Sequence, residues 1–219
     1  MGEVDGAAEA GQANRFVRAD EEGAAVAAEV LRQGGIVVVP TDTVYGLAAR
    51  PDDETAVTAV YRAKGRPDGM HLPVLAASLD QVRTLGVEFG DDAARLAGLW
   101  WPGPLTLAFG FAGGPDRPTW LAGRVEVAVR IPDHGFLRGL LTSTGALVVT
   151  SANHHGDPTP RTARDAAASL GAFVDLIVDG GRLAEVPSTM VNVRGTEPVV
   201  EREGAISREE VAKALAATS

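Results

Sequence analysis

The chain has 219 residues, 45% apolar and 22% charged, the balance of one globular domain able to bury its own core. It contains 0 Cys, which excludes disulfides, thiolate nucleophiles and cysteine-ligated metal sites and fits a reducing, cytoplasmic compartment. A net charge of -9 argues against a generic electrostatic grip on nucleic acid, and no apolar run is long enough to span a bilayer.

Residues 1–14 are small, polar and acidic, and read as a disordered tail rather than a secretory signal. Glu21–Gln33 carries a helical pattern with Val26, Val30 and Leu31 on one stripe and Gly34 at its stop. Ile36–Val39, ended by Pro40, is the β-branched run of a buried strand. A hydroxyl-rich loop, Thr41–Gly46, follows. Asp52 or Asp53 caps the next helix, which turns Ala56, Val57, Val60 and Tyr61 inward and ends at Lys64-Gly65-Arg66-Pro67. Val74–Ala77 reads as a strand, and Ser78 and Asp91 as helix starts. Trp100-Trp101-Pro102-Gly103-Pro104 breaks any helix before a strand over Leu105–Phe111.

After a Gly/Pro-rich loop over 112–124, Val125–Ile131 alternates. Val125, Val127, Val129 and Ile131 face one way, and Glu126, Ala128 and Arg130 the other. A short helix over Phe136–Leu141 and a buried strand Leu147–Thr150 follow, then a helix over 162–170. Further strands are predicted at Asp175–Val178, Thr189–Val193 and Pro198–Glu201, and Ser207 opens a capping box for a last helix. The predicted division is a tail over 1–14, one domain over 15–207 and a C-terminal helix over 208–219. Strands and helices mix without strict βαβ alternation, which predicts an α/β (α+β) domain on a mixed sheet, not a Rossmann fold.

No phosphate-binding glycine loop, nucleophile elbow or metal-spaced histidine pair is present; His154 and His155 are adjacent and ill-placed to share a metal. What remains is polar residues at strand ends, where open α/β sheets bind ligands. The Thr41–Tyr45 hydroxyls serve a ligand or satisfy their own backbone. Lys64 and Arg66 serve a ligand or the helix dipole. Ser151-Ala152-Asn153 meets a nucleotide or caps a turn. Arg130, on the polar side of a β-branched strand, either pairs with Glu126 or meets an anionic ligand.

Taken in order, several segments resemble the YrdC-type L-threonylcarbamoyladenylate synthases (the TsaC family, in its short single-domain form). They are Gly35–Leu47, Lys64-Gly65-Arg66-Pro67, Trp101–Leu107, Val127–His134, Thr150–Asn153, Ser188–Val191 and Arg202–Ile206. The resemblance covers roughly residues 20–207. It implies a twisted mixed parallel and antiparallel sheet flanked by helices, with a large basic concave cavity. It also implies a nucleotidyltransferase that turns L-threonine, bicarbonate and ATP into threonylcarbamoyl-AMP and pyrophosphate for tRNA threonylcarbamoyladenosine modification.

By position, the resemblance gives Lys64 and Arg66 the catalytic part, acting through charge. It gives Lys64, Arg66, Ser151, Asn153, Thr159, Ser188 and Arg202 to ATP, and Thr43, Arg130 and the main chain at Val149 to threonine. Mg²⁺ rides on the phosphates, with no protein metal site. The implied partner is a downstream tRNA threonylcarbamoyl-transferase complex, with no membrane and no strong direct nucleic-acid binding. The family often has Asn and a threonine-contacting histidine after the Lys-x-Arg motif. Here Met70 stands for the Asn and Leu75 for the histidine, leaving His71 nearby. The competing reading is a non-catalytic YrdC-like protein that binds RNA or serves ribosome maturation; the intact Lys64-x-Arg66 and Ser151-x-Asn153 pairs favour the enzyme.

Overall fold

The computed structural model describes residues 15–65, 71–113, 117–184 and 186–217. The strands are β1 Phe16–Arg18, β2 Val37–Val39, β3 Gly46–Ala49, β4 Val74–Leu75, β5 Leu105–Phe109, β6 Val127–Arg130, β7 Leu147–Ser151, β8 Leu176–Asp179, β9 Thr189–Asn192 and β10 Val199–Arg202. The helices are α1 Glu21–Arg32, α2 Glu54–Lys64, α3 Leu79–Arg83, α4 Asp91–Trp100, α5 Gly135–Thr144, α6 Ala163–Leu170 and α7 Arg208–Ala216. All these strands join one mixed sheet in the order β1-β8-β2-β3-β7-β4-β6-β5-β9-β10. The predicted 1–14 tail lies outside the described residues.

Helix ends follow their capping chemistry. Asp53, not Asp52, caps α2 by accepting from the Ala56 N–H; Asp52 instead pairs with Arg50 at 2.6 Å. Gly65 ends α2 at φ 59, a left-handed turn that suits glycine. Thr162 and Ser207 open α6 and α7 through reciprocal capping boxes. α1 turns Ala27, Ala28 and Leu31 inward, while Val26 and Val30 are only partly buried, so the predicted stripe is rotated. The small alanines let α1 pack closely beside α5 over the sheet.

Strand alternation sends side chains to two faces. One face is covered along its length by α2, α3, α4, α6 and α7. Val38, Leu47, Val74, Leu105, Leu107, Phe109, Val127, Val129, Val148, Ile177 and Val191 point into this core, and Val211 of α7 joins them. The other face is split. Beside β8, β2, β3 and β7 it is sealed by α1 and α5, whose Leu31, Leu137, Leu140 and Leu141 meet Val37, Val39, Leu147, Val149 and Val178. Across β6, β5 and β9 no helix among the described residues covers it.

Two strands escape the sequence reading. β1 is three residues on the sheet edge. β3 emerges from the hydroxyl-rich loop as a central strand between β2 and β7. The strand over 125–131 is shorter than predicted: Val125 is 72% exposed and contributes nothing to the core.

Candidate functional site

The uncovered half of the sheet is the floor of a cavity of about 790 Å³. Thr106 and Ala108 of β5, Ala128 and Arg130 of β6 and Met190 of β9 form that floor. These are the alternate residues to those buried in the main core. The cavity therefore follows from strand register and the lack of a covering helix. Thr43, Lys64, Val149, Ser151, Asn153, Thr159, Ser188 and Arg202 line it too, so every predicted site residue except Arg66 surrounds one space. Arg66 lies outside the described residues.

Lys64 is the last residue of α2 and only 3% exposed. A buried ammonium needs acceptors. Its Nζ donates to the Ser151 carbonyl at 2.5 Å and the Asn153 carbonyl at 2.7 Å, and lies 3.4 Å from Ser151 Oγ. The Lys64 carbonyl accepts from the His155 N–H at 2.9 Å. The end of α2 and the loop after β7 are thus joined twice. Asn153 Nδ2 donates to the His154 and Asp157 carbonyls at 2.9 and 2.7 Å, which tightens that loop. Its Oδ1 is buried and accepts from nothing among the described residues, an orphan that a ligand donor would satisfy.

On the far wall, Ser188 Oγ lies 2.8 Å from Thr106 Oγ1. Arg202 Nη2 donates to the Ser188 carbonyl at 2.9 Å and reaches Ser188 Oγ at 3.2 Å. A side chain at Gly204 would put a Cβ 2.2 Å from the Pro187 carbonyl oxygen, so only glycine lets the bend after Arg202 lie against Ser188. Burial lowers the Arg202 pKa, and the Arg130 charge lowers it further. Arg130 and Arg202 bring two guanidinium groups to one cavity, an arrangement that suits an anion.

Arg130, 5% exposed, does not take the side-chain partner the sequence offered. Glu126 lines the cavity but pairs with Arg194 at 2.7 Å. Four residues along a strand are about 13 Å apart, too far for contact. Arg130 is paired instead with Asp42, through Nη2 to Oδ1. Nη1 donates to Thr43 Oγ1 at 2.8 Å and Nε to the Gly103 carbonyl at 2.9 Å. The loop that carries Asp42 is itself braced: Thr41 Oγ1 accepts from the Thr43 and Val44 N–H groups at 3.0 and 3.1 Å. The break at 101–104 supplies the Gly103 carbonyl.

Asp42 and Thr106 were not singled out by sequence. Thr106 had a signal, a lone hydroxyl in an apolar strand. His71 and Leu75 both line the cavity, so the substituted histidine position and its neighbouring histidine face the same space. The lining is not purely cationic, since Glu126 and Glu201 belong to it. Among the described residues no group of three or more His, Cys, Asp or Glu is placed to hold a metal.

Residues 29–204 match the family Sua5_yciO_yrdC, described as telomere recombination. The threonylcarbamoyl-AMP synthase of Pyrococcus abyssi is 36% identical over 193 residues, 87% of this chain and 56% of that protein. The enzyme of the same name from Bacillus subtilis is 36% identical over 189 residues, 85% of this chain and 55% of that protein. The chain thus spans about half the length of these two relatives. The crystal structure of Pyrococcus abyssi Sua5 complexed with L-threonine superposes with a TM-score of 0.83 at 35% identity, covering 92% of this chain and 60% of that one.

Proposed function

The chain belongs to the Sua5–YciO–YrdC family, and on that premise we propose that its cavity makes threonylcarbamoyl-AMP and pyrophosphate from L-threonine, bicarbonate and ATP. The observation that carries this reading is a single cavity lined by Lys64, Arg130 and Arg202 beside Asn153, whose buried Oδ1 accepts from nothing among the described residues. The names of the relatives and the threonine bound to the Pyrococcus neighbour support it.

The chemistry matches the residues. Bicarbonate converts the threonine amine to a carbamate, with loss of water. A carbamate oxygen attacks the α-phosphorus of ATP, the bond to the bridging α–β oxygen breaks, and pyrophosphate leaves. Both reactants are anions, so holding them together and receiving the departing charge is work for cations. Arg130 and Thr43, with the Val149 main chain, hold threonine. Lys64 and Arg202 face the phosphates, and the Lys-x-Arg motif assigns Arg66 to them as well. Ser151, Asn153, Thr159 and Ser188 hold the rest of the nucleotide, with Asn153 Oδ1 accepting from it.

Mg²⁺ belongs to this proposal as a companion of the phosphates, because the described residues offer no carboxylate cage of their own. The product is a mixed anhydride, prone to hydrolysis, so a transferase that modifies tRNA must consume it promptly. The proposal places the protein in the cytoplasm; among the described residues no helix is long and apolar enough to cross a membrane.

The test is pyrophosphate release by the purified chain with ATP, Mg²⁺ and bicarbonate, with and without L-threonine. Release that needs both threonine and bicarbonate, and that is lost in folded Arg66→Ala and Arg202→Ala variants, is the expected result. A folded protein that binds ATP yet releases no pyrophosphate in response to threonine overturns the reading.

A further inference from the structure

Arg130 is held at every nitrogen of its guanidinium, and what holds it has a consequence for selectivity. A guanidinium has five N–H donors. Three are committed, one on each nitrogen: Nε to Gly103, Nη1 to Thr43 and Nη2 to Asp42. One N–H remains on each terminal nitrogen, the pair that meets a carboxylate through two parallel bonds. The Asp42–Arg130 pair is also unlike the other described ion pairs. Its side chains are 13% and 6% exposed, whereas the others range from 34% upward. A buried pair is a poor way to gain stability compared with apolar packing, so orientation and charge balance are the better account of its presence.

The two arginines differ in charge balance. Arg130 is neutralised by Asp42. Arg202 is held by the carbonyl and hydroxyl of Ser188 and has no acidic partner among the described residues. An uncompensated guanidinium attracts a polyanion most strongly; a compensated one offers directed N–H groups with little net field. We propose that Asp42 is a positioning residue that divides the cavity, keeping Arg130 for a singly charged carboxylate and leaving phosphate groups to Arg202. This rests on the synthase reading above. Asp42 acts through Arg130; it is not among the residues that line the cavity.

The experiment is calorimetric titration of the full chain and its Asp42→Asn variant with L-threonine, in the absence and presence of inorganic pyrophosphate, with thermal melts of both. The substitution retains an acceptor and the side-chain shape but removes the charge. Wild-type protein should bind threonine with an affinity that pyrophosphate leaves nearly unchanged. In Asp42→Asn, threonine binding should weaken at least about tenfold, and pyrophosphate should now compete with threonine. Steady-state assays should show the same split: a raised KM for threonine, with KM for ATP and kcat changed less than about threefold. A merely structural role would not create competition by pyrophosphate. If wild type binds threonine and the folded variant behaves like it, the Asp42 assignment is wrong. If folded wild type binds no threonine, both this inference and the synthase reading are overturned.

Discussion

The two halves of one sheet face are made of the same backbone and do opposite things. Beside β8, β2, β3 and β7 the outward residues are Val37, Val39, Leu147, Val149, Leu176 and Val178, and α1 and α5 close over them. Beside β6, β5 and β9 the corresponding residues are Thr106, Ala108, Ala128, Arg130 and Met190, and no described helix lies over them. The first half converts apolar area into stability. The second gives up that burial and gains a floor on which the proposed ligand-holding groups stand. Rigid strands place groups more reproducibly than loops do, and much of the cavity lies on strands or at their ends.

The sharpest way to break the comparison is to exchange what each half is short of. Leu140→Ala opens a void under α5 and should cost about 2–5 kcal/mol of stability, read by denaturant unfolding, with KM values intact. Ala128→Leu fills the open floor. It should lower threonine-dependent pyrophosphate release at least about 100-fold, near 2.7 kcal/mol of transition-state binding, while the melting temperature moves little. Asn153→Ala removes the buried acceptor that we propose meets the nucleotide. It should raise KM for ATP about tenfold and leave KM for threonine nearly unchanged.

The smallest effect lies on the sealed half. His134 caps α5, its Nδ1 accepting from the Leu137 N–H at 3.4 Å. Burial lowers its pKa against the opposing pull of Asp42 and Asp133. The unfolded chain therefore takes up the proton first. The contribution of this group to stability is complete above the unfolded value of about 6.5 and declines as pH falls toward the lowered folded value. His134→Asn, which keeps a cap, should flatten that part of the stability–pH curve. An unchanged slope would assign it to other groups.

Much of this could be read from the sequence, and for local reasons. The helix starts at Ser78 and Ser207 and the stop at Gly34 are capping chemistry, which needs only neighbours in the chain. The alternation of Val127, Ala128, Val129 and Arg130 told which side chains share a face. It did not tell that the polar side would remain uncovered, because that depends on where helices far away in sequence come to rest. The Glu126 partner suggested for Arg130 failed on distance along the strand. The true partner, Asp42, stands 88 residues earlier and is brought near by the order of strands. β1 and β4 were hard to see or delimit because strands of three and two residues carry too little pattern. The ring of candidate residues around the cavity came from an ordered set of motifs, each ambiguous alone.

The parallel pairing of β5 with β9 has a consequence in time. A chain is made from its N-terminus, and domains take shape as it emerges. Once β8 has appeared, the sealed half has all its strands and both its helices. The cavity half still ends at β5, whose outer edge has no partner until Thr189–Asn192 arrives. A nascent or cleaved chain that stops near Gly180 would bury α1 and α5 normally, present a bare strand edge open to mispairing, and lack both Ser188 and Arg202. Such a fragment would keep most of the finished protein's helix content while lacking one wall of the cavity, so the last stretch of the chain decides when the cavity is complete.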